Sequence, residues 1–339
     1  LNMAKEKTTK KKAAKGSAGK KAAATSSANV KTSKNQAAAK AAKPVQAVRE
    51  SSTTEFNKAV PADKAAVKAA AKVAAKADAA TPVGKLIKWH KWLGIIYLLQ
   101  GMAVLVFGRN VAAPLTLQYP SIDTLASEAT GGQVIGLANR HVGDVHLAWV
   151  LAVTMVVFAA IHLMMTSAYR AYLETSITRG VNAFRWLSLG LGGGLLVVAT
   201  ALLSGISSIP MLLVLFGSIF SGAMLTLAVE TAVANNNGVK SRLSHFLCGL
   251  STLGTLLPWL VFATGVAGVL LWNGKLPTYL YSLYICEAVL VGAFMLATHY
   301  RLKRQGKWAD GLYSERGYML LTVVTVTLLS WVIVVGALK

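Results

Sequence analysis

Residues 183–204 read AFRWLSLGLGGGLLVVATALLS. One charge, Arg185, stands near the start of this stretch, and none follows as far as Ser204. A helix needs about 20 mostly apolar residues to cross the hydrocarbon core of a bilayer, so this stretch reads as a membrane span. Six more stretches qualify on either side: 90–109, 146–168, 210–233, 246–271, 279–300 and 318–338. The breaks between the seven are polar or carry Pro and Gly, as in TSITRG, GISSIP, NNNGVKSR and WNGKLP. None of the seven holds a lysine at bilayer-core depth. The fold class expected is an all-α membrane protein, a seven-transmembrane-helix bundle.

Composition supports this division. The 339 residues are 54% hydrophobic yet carry a net charge of +22, values that no single soluble domain reconciles. Residues 1–92 hold 21 of the 35 Lys and Arg but only 5 of the 13 Asp and Glu. Three parts follow: a basic Lys/Ala-rich tail (1–61), a basic Ala-rich helix (62–80) and a membrane domain (81–339). The tail is too poor in apolar residues to offset its ordering entropy and is expected to be disordered. In ADKAAVKAAAKVAAKADAA, Lys64, Lys68, Lys72 and Lys76 recur every fourth residue and give one basic helix face. That face suits anionic lipid or nucleic acid, or else is a solvated stripe that helps set topology. No aromatic residue precedes Phe56, so base stacking has no support. Residues 1–43 lack the apolar core of a cleavable signal peptide, and the true start is expected at Met3 or upstream.

Orientation follows from Lys and Arg in the short connections. One side has Lys85, Lys88, Lys91, Arg170, Arg179, Lys240, Arg242, Arg301, Lys303, Arg304, Lys307 and Arg316. The other has only Arg109, Arg140, Lys275 and Lys339. The expectation is a multi-pass protein of the cell membrane, N-terminus cytoplasmic and C-terminus outside. The one long outer connection, 110–145, contains LTLQY and QVIGL with Pro and Gly-Gly between them, and reads as a short strand pair.

Ionisable groups inside a membrane are costly, so each is a functional candidate. His162, Arg185, Glu230 and Glu287 are those identified. Their ordinary readings are a packing histidine, a snorkelling arginine and an interfacial or hydrogen-bonded carboxyl. Glu287 lies near the middle of its span and must be protonated, paired or in contact with water. Cys248 and Cys286 sit in apolar runs at different depths and predict no disulfide. No motif for an enzyme, a metal or a phosphate loop appears, so neither catalysis nor a metal is expected. Gly190 and Gly194 in GLGGG suit close helix packing.

Several strings in the right order and spacing resemble the heliorhodopsins, seven-helix retinal proteins inverted in the membrane relative to other rhodopsins. They are LGIIYLLQG (93–101), YRAYLETSITRGVNAFRW (169–186), LAVETAVANNN (227–237), Pro258-Trp259, GKWADGLYSERGYMLL (306–321) and LLSW (328–331). The resemblance covers about residues 88–338.

It implies a Schiff-base lysine on the last span, a few residues before Trp331. That position holds Val326, which has no amine. The implied counterion position holds Ser188, the aromatic expected next is Leu189, and the histidine of the first span is Tyr97. His162 and Glu230 match polar positions of the family. Loss of both the cation and its anion leaves no orphan charge and points to a retinal-free state.

The resemblance also implies a homodimer to which 110–145 contributes. The expected function is therefore a sensory, regulatory or scaffold membrane protein with an unknown protein partner. One alternative is a photoreceptor holding retinal or another polyene non-covalently, with Trp259, Trp331 and His162 about the pocket. Another is a proton or ion pathway through Glu287, His162 and Glu230.

Overall fold

The structure, a computed structural model, describes residues 81–239 and 241–339. The expected basic helix at 62–80, with Lys64, Lys68, Lys72 and Lys76, lies outside them. Among the described residues, seven helices are long and apolar enough to cross a membrane. They are α1 (Pro82–Phe107), α3 (Leu147–Thr166), α5 (Ala183–Leu203), α6 (Ile209–Asn235), α7 (Arg242–Leu271), α8 (Thr278–Leu302) and α9 (Gly311–Ala337). A short helix, α4 (Arg170–Arg179), links α3 to α5, and a 3-10 turn, Gly306–Ala309, precedes α9.

The helix starts follow local chemistry. The Thr81 side chain accepts from the Gly84 backbone N–H, with Pro82 at the first helical position, where a missing N–H costs nothing. Asn182, Ser241 and Asp310 cap α5, α7 and α9 in the same way. α1 begins eight residues before the apolar run at 90, and α9 seven before the run at 318. Hydropathy locates the hydrocarbon layer, whereas the helices continue into the flanking polar region. Those extra turns bring groups into the bundle that the apolar runs leave out.

The connection after α1 is a strand pair, β1 (Ala112–Ile122) and β2 (Ile135–His146), joined through the short helix α2 (Thr124–Thr130). The strands are antiparallel, Ala112 facing His146 and Ile122 facing Ile135, with a bulge between Leu115 and Thr116. The hairpin is fastened to the bundle where the Thr116 N–H donates to the Ser207 carbonyl at 2.9 Å. The Arg109 N–H donates to the Leu338 carbonyl at 2.6 Å, so α1 and α9 end together at this same face.

Around the bundle the helices follow chain order. α1 packs on α3, α3 on α5, α5 on α6, α6 on α7, and α8 on α9, which returns to α1 and α5. α7 and α8 do not close on each other in this way. The main core is built from Leu93, Tyr97, Leu151, Met155, Phe158, Leu283 and Ile333, among others. Large apolar side chains such as Leu99, Val106, Leu253, Leu260 and Ile285 face outward, as lipid-facing positions should.

Glycines set the closest helix approaches. The GLGGG run is used on two sides: Gly190 and Gly194 lie against Phe220 and Phe216 of α6, and Gly192 lies against Phe158 of α3. At the α6–α7 crossing the Gly222 carbonyl accepts from Thr226 Oγ1 at 2.9 Å and from Ser251 Oγ at 2.8 Å. A Cβ on Gly222 would stand 3.2 Å from the Ser251 carbonyl oxygen, which is backbone and cannot swing away. Gly222→Val should therefore push α6 and α7 apart and cost about 1–3 kcal/mol, read as a lower melting midpoint of the purified protein. Gly217→Ala meets open space and should leave that midpoint unchanged or raised.

Candidate functional site

Two polar clusters and one chamber inside the bundle bear on function. The first is at the end opposite the hairpin. Asn182 caps α5 by accepting from the Arg185 N–H, which fixes the first turn and aims Arg185 inward. Arg185 is 7% exposed and does not snorkel. Its guanidinium pairs with Glu230 of α6 on one side and with Glu315 of α9 on the other.

Each carboxyl has a further donor. Trp186 Nε1 donates to Glu230 Oε2 at 2.8 Å, and Asn182 Nδ2 donates to Glu315 Oε2 at 3.2 Å. The Tyr318 ring lies 4.3 Å from the guanidinium carbon, a cation–π contact in a desolvated setting. The Tyr318 hydroxyl donates to Thr298 of α8. Glu315 escapes a reading by hydropathy because it lies in SERG, outside the apolar run. Its signal is position: three residues ahead of an apolar run, it can turn back into the first helical turn.

The second grouping is beside the first. His162 Nδ1 and His90 Nδ1 are 2.7 Å apart, so one ring donates, the other accepts, and at least one is neutral. Tyr97 lies over His162 with ring centroids 5.6 Å apart. His90 is 3% exposed although it stands among Lys88, Trp89 and Lys91, which hides it from a search for isolated intramembrane charges. A small cavity of about 20 Å³ is lined by His90, His162, Ser188, Arg185 and Glu315. Ser188 Oγ donates to the Arg185 carbonyl within its own helix at 2.8 Å.

The third is a chamber of about 660 Å³, within the range of roughly 300–1,000 Å³ that small-molecule sites occupy. It lies between α7 and α8, and α5, α6, α9 and Phe158 of α3 complete its wall. Its lining is largely apolar and includes Trp186, Trp259, Phe294 and Val326. Glu287 of α8 is in the wall, 3% exposed, and accepts from Thr200 Oγ1 of α5 at 2.6 Å. One turn earlier, Tyr284 donates to Ser204 at 2.7 Å, so α8 is tied to α5 at two successive levels.

The structure thus groups Val326, Trp259 and Glu287 in one chamber and places Ser188 and His162 in the smaller cavity. Thr322, one turn before Val326, lines both. Trp331 packs against the main core and is not part of the chamber wall. Cys248 and Cys286 are unpaired. Among the described residues no three His, Cys, Asp or Glu come together as a metal site.

Removing the cation strands two buried carboxyls. Arg185→Met should cost about 3–5 kcal/mol, whereas Glu315→Gln, which keeps a hydrogen-bonding partner, should cost clearly less. Thermal unfolding of the purified variants checks the order. A melting midpoint unchanged in Arg185→Met would remove the cluster as a structural clamp.

The heliorhodopsin family model matches residues 86–338, nearly all of the membrane bundle. No curated protein matches the chain in sequence. Seven apolar helices in ring order and a family match across all of them make this a multi-pass membrane protein, and the chain belongs to the heliorhodopsin family.

Proposed function

We propose that this chain is a sensory or regulatory membrane protein of the heliorhodopsin fold that does no enzymatic chemistry and forms no Schiff base with retinal. The observation that carries this reading is Val326. It lines the large chamber, is 1% exposed, and stands where the family resemblance puts the lysine. A valine supplies no amine for an imine. Ser188 at the counterion position agrees, because a carboxylate kept there without its cation would be an unpaired buried charge.

A second reading is favoured by the chamber itself. Its size, its apolar lining and Trp259 in its wall suit non-covalent occupancy by retinal or another polyene. The relay reading has less support. Glu287 bonds to Thr200, Glu230 to Arg185 and Trp186, and His162 to His90, and no hydrogen bond among the described residues joins these groups to one another.

We further propose the orientation with the N-terminus cytoplasmic, from the Lys and Arg asymmetry. A homodimer is proposed as well, with the hairpin contributing. Ile122, Ile135 and Leu137 expose apolar surface on one face of its two strands, the kind of patch that marks an interaction surface. The basic segment at 62–80 is proposed as a contact for anionic lipid, with nucleic acid as the alternative.

The test is an absorption spectrum of the purified full chain after incubation with all-trans retinal. The wild type should give no visible band that survives denaturation, and borohydride should leave no retinyl adduct on it. The double variant Val326→Lys, Ser188→Glu should gain a visible band. A reduced adduct on the wild-type protein would overturn the reading.

A further inference from the structure

The large chamber has a direction. Its α8 wall runs from Glu287, near the middle of that span, to Leu302, the last residue of the helix. Its α7 wall runs from Trp259 back to Cys248, near the start of that helix. Beyond Trp259 and Glu287 the seam closes where Phe262 stacks on Tyr284 at 5.3 Å. The chamber is thus shut toward the hairpin and extends toward the opposite end of the bundle. Glu287 to Leu302 at 1.5 Å per residue is ~22 Å, about the thickness of one leaflet with its headgroups. A volume of about 660 Å³ drawn out over that length has a mean cross-section on the order of 30 Å². That admits a hydrocarbon chain but not a helix, which with its side chains is about 10–12 Å across.

Its rim faces lipid. Thr252, Gly292 and Leu296 line the chamber and are also exposed, and nothing lies within 4 Å of the Cβ position of Gly292. An apolar void open to a bilayer fills with hydrocarbon, because an empty one forgoes the contacts its lining can make. The end away from the hairpin is basic. His299 is exposed and in the wall, and Lys303 follows it one turn later on the same face. His245 stands one turn ahead of Cys248 on α7. Glu287 is the one acid in the sequence between Glu230 and Asp310, and it lies at the far end. This is the polarity of a lipid in that leaflet, with hydrocarbon toward the midplane and an anion toward the surface.

We propose that the chamber seats one acyl chain of an anionic phospholipid from the adjoining leaflet, with the phosphate held at the mouth by Lys303 and His299. The proposal goes beyond the polyene reading, which rests on Trp259 and Val326, and concerns the stretch from Glu287 to Leu302. The Lys303 stem lies along apolar surface while its ammonium reaches the headgroup level, and basic pockets between membrane helices hold anionic headgroups in this way. In a zwitterionic lipid the headgroup's own cation stands beside Lys303 and cancels part of that attraction.

The test titrates the purified full chain in detergent with dioleoyl phosphatidylglycerol or dioleoyl phosphatidylcholine, and native mass spectrometry counts the bound lipids. The two share their chains and differ in headgroup charge. Wild-type protein should hold its first phosphatidylglycerol about fivefold to tenfold more tightly than phosphatidylcholine. The double variant His299→Gln, Lys303→Gln should lose that preference and still bind phosphatidylcholine. Lys85→Gln, which removes a charge at the same end from α1, should keep it. Gly292→Trp puts a ring into the rim and should weaken both lipids.

Equal affinity of the wild type for the two lipids, or retention of neither, would overturn the proposal. So would a preference that survives in the double variant, or lipid binding that Gly292→Trp leaves unchanged. The comparison on wild-type protein needs no variant, and His299 and Lys303 are exposed, so a variant that failed to fold would not shield the proposal.

Discussion

The bundle depends on one guanidinium. Arg185 enters from the first turn of α5 and pairs with carboxyls from α6, the next helix in the chain, and from α9, the last. Burying three ionisable groups is expensive, and their attraction repays that cost only if the geometry is good and the remaining lone pairs are satisfied. Trp186 and Asn182 satisfy them, and Tyr318 covers the guanidinium face. Such an arrangement adds less to net stability than to specificity. Only one rotation of each helix about its axis brings the three side chains together, so the cluster sets the phase of α5, α6 and α9 at this end of the molecule.

That phase has consequences deeper in the bundle. With α5 held by Arg185, its glycines face the aromatic rings of α3 and α6, and Thr200 and Ser204 face α8. The hydrogen bonds from Thr200 to Glu287 and from Tyr284 to Ser204 tie α8 to α5 across the interior. α7 is held chiefly by α6, through the Gly222 crossing, and meets α8 where Phe262 stacks on Tyr284. The chamber is the space that results when α8 is anchored to α5 and α9 while α7 is anchored to α6. Its wall therefore combines apolar surface from several helices with the acid Glu287, bonded to Thr200, and the indole of Trp259.

Much of this was legible in the residues. Apolar length alone identifies seven spans, since a bilayer of fixed thickness demands a fixed number of helical residues. Period-2 patterning between Pro and Gly announced the strand pair of the outer connection. The strings from LGIIYLLQG to LLSW carried the family, and the family match extends over residues 86–338. That position 326 is a valine, which carries no amine, was equally visible. Less legible were Glu315 and His90. Both stand among polar or charged neighbours at the ends of apolar runs, where hydropathy assigns them to the water-facing side. Arg185 looked like a snorkelling residue for the same reason: the carboxyls that hold it inside lie 45 and 130 positions away.

The sequence by itself determined the seven apolar spans and that position 326 offers no amine, because both depend on residue type and local length. Only the tertiary structure decided which carboxyls meet Arg185, that His162 pairs with His90, that Val326 and Ser188 face different cavities, and that Glu287 bonds to Thr200 across the interior. These are matters of helix rotation and neighbour identity. Hydropathy is summed along the chain, whereas a hydrogen bond is made across it, and in a bundle this apolar almost every rotation of a helix satisfies the first while very few satisfy the second.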